Sequence, residues 1–469
     1  MFPGLTLTYW LTVHGLVTAL AVLLYVITSH LMHQRRQPAA AIAWVLFILL
    51  VPYLALPAFL TFGSRKQARP RQSGLRIAPP APGDPQADSA WAVQTALALG
   101  QGPPAAFNAL HLHADGAEAL LALWQTIDAA RHSIDLCTFI IGRDAVGREL
   151  VARLSAKARD GVNVRLMVDG LGRIMAGRPD LRPIVAAGGQ VTSFVPPLHS
   201  PLKGRTNLRD HRKMVIADAA HATRRLWCGG RNLACEYFEG SQGVPAWRDL
   251  SFDLCGDVVA QASALFEHDW AFANSRRSSV GALAACAAVP EGTGAQLVAS
   301  GPDQVDDTVY ALLVTAAYRA RRRIAIITPY FVPDAALLMA LSMAARRGVV
   351  VDLLLPAKSN HRLSDLARRR VLRTLSAAGG RIWLAPQMMH AKLIVIDDVL
   401  ALAGSANIDS RSLFLNYELM MAFHDTAVVG RFADWFEAER SQAQRCAPKP
   451  AGLISDLVDG MVLWVGFQL

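Results

Sequence analysis

Two long charge-free runs open the chain. Leu7–Ser29 and Ala39–Phe62 contain no Asp, Glu, Lys or Arg. Each exceeds the roughly 20 residues a helix needs to cross a bilayer. The pattern predicts a two-helix transmembrane hairpin within residues 1–63, with spans at about 7–29 and 39–62. The polar stretch His30–Pro38 between them holds Arg35 and Arg36. Trp10, Tyr25, Trp44 and Tyr53 supply aromatic rings for the interfaces. A cleaved signal peptide fits poorly, because Met1–Trp10 has no basic residue and no small-x-small site precedes Arg35.

Residues 64–90 change character. Pro70, Pro79, Pro80, Pro82 and Pro85 stand among Arg65, Lys66, Arg69, Arg71 and Arg76. This predicts a semi-extended linker. Its five basic residues outnumber the two in the inter-helix loop, which puts the main body in the cytoplasm by the positive-inside rule. Basic residues there would also be drawn to anionic headgroups, at about 1 kcal/mol per charge.

From Trp91 the periodicity alternates between helix and strand. Ala117–His132 and Ala145–Arg159 read as helices; Ser133–Ile141 and Val162–Val168 read as strands. That βαβ order predicts an α/β class with helices flanking a mixed sheet. The order then repeats. LSAKARDGVNVRLMV at 154–168 matches LSMAARRGVVVDLLL at 341–355, in register at Gly161 and Gly348. The expected body is therefore two duplicated halves, 91–285 and 286–469, related by a pseudo-two-fold axis.

Composition narrows the class. Of 469 residues, 52% are hydrophobic and 18% charged, against roughly 25% charged in an ordinary soluble domain. Such apolar content excludes a mainly disordered chain. The six cysteines form no CxxC pair, so a disulfide framework is not expected and a reducing compartment is. Lys and Arg exceed Asp and Glu by 47 to 37, a net +10, which suits a polyanionic or anionic-surface partner.

The strongest chemical signal is also duplicated. His211–Asp218 and His390–Asp397 both have the form HxKxxxxD, and each precedes a turn ending in Asn232 or Asn407. In a β-strand, His211 and Lys213 face one side, as do His390 and Lys392. Two imidazoles, two ammoniums and two amides in one cleft suit a phosphodiester. One His can attack phosphorus while the other protonates the leaving alkoxide. Lys213, Lys392, Asn232 and Asn407 would steady the non-bridging oxygens. Asp249 and Glu418 are candidates to hold the imidazole tautomers, and Asp218 and Asp397 complete the motifs. No metal and no cofactor are called for, because each lysine stands where a metal would.

At these motifs the chain resembles the phospholipase D superfamily, and within it the bacterial cardiolipin synthases that carry a membrane hairpin. Further likeness lies in Asn207–Lys213, Ser300–Pro302, Thr328–Asp334, Gly404–Ser412 and Asn416–Glu418. The resemblance implies phosphatidyl transfer between two phosphatidylglycerol molecules, giving cardiolipin and glycerol through a phosphohistidine. His211 would be the nucleophile and His390 the general acid and base. It further implies a multi-pass protein of the bacterial inner (cell) membrane, acting on anionic phospholipids and not on nucleic acid; a homo-oligomer is compatible with it. A phospholipase D-type hydrolase is the alternative, and a superfamily nuclease a weaker one. The sequence departs from the pattern at Asn360, where an acidic residue is expected, at Ala385–Met389, and in the apolar ending Ile454–Leu469.

Overall fold

The computed structural model describes residues 7–31, 38–62, 87–195, 207–241, 243–274, 294–304, 306–450, 452 and 459. The loop with Arg35 and Arg36, most of the Pro-rich linker, and Ile454–Leu469 apart from Asp459 lie outside the described residues.

The first apolar run is helix α1 (Leu7–Leu31). The second is not one helix but two, α2 (Pro38–Leu50) and α3 (Pro52–Phe62). Pro52 supplies no N–H to the helix before it and disfavours helical backbone at Val51. At 13 and 11 residues, α2 and α3 are about 20 and 17 Å long, short of a hydrocarbon core of about 30 Å. In α1 the apolar positions are interrupted by Thr12, His14, Gly15 and Thr18. Among the described residues no helix is long and apolar enough to cross a membrane. The two-helix transmembrane hairpin expected at about 7–29 and 39–62 is not supported by these helices. The three helices pack together instead, with Phe59 against Tyr25 and Trp44 at 5.0 and 5.4 Å between ring centroids. Leu16, Leu20, Leu23, Leu50 and Leu54 face outward.

The body begins with α4 (Ala87–Ala98). The first half then runs β1 (Asn108–Leu112), α5 (Gly116–Ala129), β2 (Ser133–Thr138), α6 (Ala145–Arg159), β3 (Asn163–Asp169), α7 (Gly170–Met175), α8 (Arg182–Ala186), β4 (Gln190–Phe194), β5 (Arg209–Asp210), β6 (Met214–Ala217), β7 (Arg225–Gly229), β8 (Ser251–Cys255) and α9 (Val258–Ala273). The second half runs β9 (Ala295–Ser300), α10 (Thr308–Arg319), β10 (Arg323–Ile327), β11 (Phe331–Val332), α11 (Ala335–Arg346), β12 (Val350–Pro356), α12 (Arg362–Ala377), β13 (Arg381–Ala385), β14 (Leu393–Ile396), β15 (Leu400–Gly404), β16 (Ile408–Asp409), α13 (Ser410–Phe414), β17 (Asn416–Phe423), α14 (Thr426–Ser441) and β18 (Gln444–Cys446).

The expected α/β duplication is visible strand by strand. The first sheet has the order β4-β3-β2-β6-β7-β8-β1; the second repeats it as β13-β12-β10-β14-β15-β17-β9. The parallel pairs β2/β3 and β3/β4 recur as β10/β12 and β12/β13. Antiparallel β2/β6 recurs as β10/β14. Equivalent aspartates cap equivalent helices: Asp144 accepts from Gly147 N on α6, and Asp334 from Leu337 N on α11.

The halves share a core. Leu226, Phe252 and Phe266 of the first lie in one buried cluster with Leu297, Leu393, Phe423 and Phe432 of the second. One connection crosses outright, for β5 pairs in parallel with β17. Arg212 anchors that crossing. It is fully buried, ion-paired to Asp269, and stacked over Tyr417 at 5.2 Å. Its guanidinium also donates to the carbonyls of Glu418 and Ser300 across the interface.

Candidate active site

Each HxK sequence sits on an extended lead-in, not inside a strand. The ladders of β6 and β14 begin only at Met214 and Leu393. The lead-ins bond to the other half instead: His211 N donates to Tyr417 O at 2.9 Å, and His390 N to Arg248 O at 2.6 Å. The alternation expected of a strand survives in part. His211 and His390 both face one cavity of about 310 Å³. Lys213 and Lys392 are buried beneath it, each Nζ donating to the carbonyl of its own histidine.

The carboxylates are exchanged between halves. His211 Nδ1 meets Glu418, 3.0 Å from each oxygen, and His390 Nδ1 meets Asp249 at 2.7 Å. Each half therefore supplies the acid that holds the other half's imidazole. Both Nδ1 atoms are engaged, which leaves Nε2 of His211 for chemistry, while Nε2 of His390 lies 3.2 Å from Lys392 Nζ. Glu418 is itself held by Ser405 Oγ at 2.5 Å and Asn416 Nδ2 at 3.2 Å. Asp249 takes the backbone N–H of Leu250 at 2.7 Å.

Asn232 and Asn407 line the cavity as the motif spacing implied. Asn232 Nδ2 donates to the Tyr237 hydroxyl at 2.7 Å. The Oδ1 atoms of both asparagines are buried with no hydrogen-bond partner among the described residues; as acceptors they call for a donor such as a ligand hydroxyl, not a phosphate oxygen.

The motif aspartates are elsewhere. Asp218 accepts from the backbone N–H groups of Arg131, His132 and Ser133 at 2.7–3.0 Å. Asp397 does the same for Arg321, Arg322 and Arg323 at 2.7–2.9 Å. Both lie past the far ends of their strands, at φ of 51° and 49°. A four-residue strand carries them about 13 Å from the cavity end of that strand. They bind the turn before β2 or β10 to the sheet and do not reach the cavity.

The electrostatics are those of a site suited to an anion. Burial, and then the neighbouring cations, push the imidazoles below their ordinary range. Burial also lowers Lys213 to about 8 and Lys392 to about 7. Burial works against ionisation of Asp249 and Glu418, but the histidines and lysines outweigh it and keep both below the usual carboxylate range.

Motif reading did not single out Arg209 and Arg411, which also line the cavity. Arg411 is fixed by Asn207, through its Oδ1 at 3.2 Å and its carbonyl at 3.1 Å. Asp409 lines the cavity too and caps α13 through Ser412 N, with burial raising its carboxyl to about 6. The available signal was proximity: Arg209 stands two residues before His211, and Asp409 and Arg411 follow Asn407.

Comparison with known proteins agrees with this geometry. The family model described as "Cardiolipin synthase, PLD-like domain" matches residues 123–270 and 313–440, one stretch in each half. The chain belongs to the bacterial cardiolipin synthases of the phospholipase D superfamily. As a member of that family it is a phosphatidyltransferase. A second model, "Phospholipase_D-nuclease N-terminal", matches residues 17–64. The chain is 30% identical to Cardiolipin synthase 1 of Bacillus anthracis, over 84% of this chain and 82% of that one. It is 30% identical to Cardiolipin synthase A of Pseudomonas entomophila (strain L48), over 92% of both. Among solved structures, phosphatidylserine synthase of Haemophilus influenzae Rd KW20 shares the fold, with a TM-score of 0.60 over 81% of this chain and all of that one, at 12% identity.

Proposed function

We propose that the enzyme joins two phosphatidylglycerol molecules into cardiolipin through a phosphatidyl-histidine at His211. The exchanged carboxylate pairs around one cavity carry this reading. His211 Nε2 attacks phosphorus, the bond to glycerol breaks, and His390 protonates the departing alkoxide. A hydroxyl of a second phosphatidylglycerol then gives its proton to His390 and attacks. The new P–O bond forms as the P–N bond breaks.

Two observations favour these roles over the reverse. His211 is the more open ring, at 12% side-chain exposure against 5%, and a nucleophile must reach phosphorus. His390 sits under Tyr237 and Trp247, at 5.1 and 5.6 Å between ring centroids. The phosphodiester anion would offset the repulsion from Lys392 and raise His390, giving it the proton the leaving group requires. The lysines, Arg209 and Arg411 would stabilise the equatorial oxygens of the five-coordinate phosphorus.

The outward leucines of α1–α3 form an apolar surface that fits contact with a bacterial membrane. Purified enzyme incubated with phosphatidylglycerol vesicles, without added metal, is expected to give cardiolipin and free glycerol in equal amounts. Phosphatidic acid as the sole product would replace this reading with the hydrolase.

A further inference from the structure

The two halves put unlike side chains at equivalent places around the cavity. Thr138 Oγ1 donates to Ile140 O at 3.2 Å, and Thr328 Oγ1 to Tyr330 O at 2.9 Å. The following residues pair in parallel with equivalent partners, Ile141 with Leu233 and Phe331 with Ile408. Ile140 and Tyr330 are therefore symmetry mates. After β3 the chain enters α7, which gives the cavity Leu171 and Met175. After the equivalent β12 it instead presents Asn360, His361 and Ser364. The first half thus lends the cavity Phe139, Ile140, Leu171 and Met175, the apolar wall, where the second lends Tyr330, Asn360, His361 and Ser364, the polar wall.

The polar wall is organised. The Tyr330 hydroxyl donates to Asn360 Oδ1 at 2.6 Å, and its ring lies edge-on to His361 at 6.1 Å. Tyr330 also lies near enough to Tyr237 to perturb its hydroxyl electrostatically, and Tyr237 packs on His390. On the apolar wall, Phe139 packs edge-on against His211 at 5.3 Å. That wall runs outward into exposed Ile174 and Met175. Residues 170–188 there carry Arg173, Arg178 and Arg182 against a single acid, Asp180.

We propose that the polar wall is the seat of the alcohol, and that Tyr330 and Asn360 select a polyol there by hydrogen bonding its neighbouring hydroxyl. The apolar wall carries the diacylglycerol side of the lipid towards the membrane. This rests on the transferase reading above and adds the orientation of the substrate. The leaving glycerol lies beside His390, which protonates it. The acceptor polyol takes the same place, gives its proton to His390, and forms its bond to phosphorus as the bond to His211 breaks. A wall built to hydrogen-bond a hydroxyl discriminates against alcohols that lack it, because its polar groups are then left without partners.

The test lets acceptors compete for one intermediate. The full-length enzyme, Tyr330→Phe and Asn360→Leu are each given phosphatidylglycerol in mixed micelles with isotope-labelled glycerol and ethanol. Labelled phosphatidylglycerol, phosphatidylethanol and phosphatidic acid are then counted. At initial rates, before labelled phosphatidylglycerol re-enters as donor, the ratio of the first two depends only on the acceptor step, so slower or less stable variants remain readable. The expected result is a fall in that ratio of about 10-fold in each variant, with ethanol use retained. A ratio within two-fold of the parent's would overturn the alcohol seat and leave the transferase reading standing. A parent that makes phosphatidic acid alone would overturn both.

Discussion

The two half-sites share one plan and differ in their supports. Each has a histidine, a lysine beneath it, an asparagine on the turn two strands on, and a carboxylate lent by the opposite half. Around His211 the carboxylate is Glu418, steadied by Ser405 and Asn416. Around His390 it is the shorter Asp249. Gly230 takes the place of Ser405, and a Cβ there would lie 2.2 Å from Asp249 Oδ1. Between His and Lys, one motif has Arg212, which spans the interface, and the other has Ala391. The lesson is that duplication supplied two equivalent bases, while the supports made one ring open and one enclosed. That difference would let two equal histidines take the unequal roles proposed above.

The sharpest way to break the comparison is to remove one ring at a time. His211→Ala and His390→Ala should each lower cardiolipin formation by about 10⁴-fold or more, measured by lipid analysis. A donor with a p-nitrophenyl leaving group needs no protonation, so it should restore first-step turnover in His390→Ala and not in His211→Ala. Equal rescue in both would erase the distinction between the half-sites.

The lent carboxylates come next. Asp249→Asn and Glu418→Gln should each cost about 10²–10⁴-fold in kcat, because the tautomer is no longer fixed. The loss should appear on the other half's histidine, seen as a shifted imidazole resonance for His390 in Asp249→Asn and for His211 in Glu418→Gln. A smaller effect is expected from pH. The lysines are charged below their lowered pKa values of about 7 and 8, so kcat/KM should fall as pH rises through that range. The alkaline limb of kcat should lie higher, since a bound phosphodiester favours the charged lysines. Identical limbs in the two profiles would count against lysine–phosphate contact.

The motif aspartates define the lower bound. Asp218→Ala and Asp397→Ala should each destabilise the fold by about 1–3 kcal/mol through loss of three backbone partners. Folded protein should keep kcat within about two-fold. A large loss of kcat at unchanged Tm would return them to the chemistry.

Much of this was legible in the sequence because duplication wrote it twice. The helix Ala145–Arg159 stands where its periodicity placed it, and both histidines reach one cavity. What was not legible depends on contacts far apart in the chain. The exchange of Asp249 and Glu418 follows from how two halves meet, which spacing within one half does not encode. The aspartates of HxKxxxxD stand apart from the histidines because a four-residue strand separates the two ends of the motif. The break at Pro52 was readable in principle: charge-free length suggested a span, but an internal proline splits it. Tyr330 gains meaning only beside its apolar counterpart Ile140, and Asn360 beside the apolar residues that α7 gives the cavity.

The account stands most directly on where the phosphatidyl group is held. His390→Ala, incubated with a p-nitrophenyl ester of phosphatidic acid, cannot activate an acceptor and should accumulate the intermediate. Mass analysis of acid-avoiding digests should then find the phosphatidyl group on the peptide containing His211. The group on any other residue, or p-nitrophenol release with no adduct at all, would contradict the two-histidine division of labour.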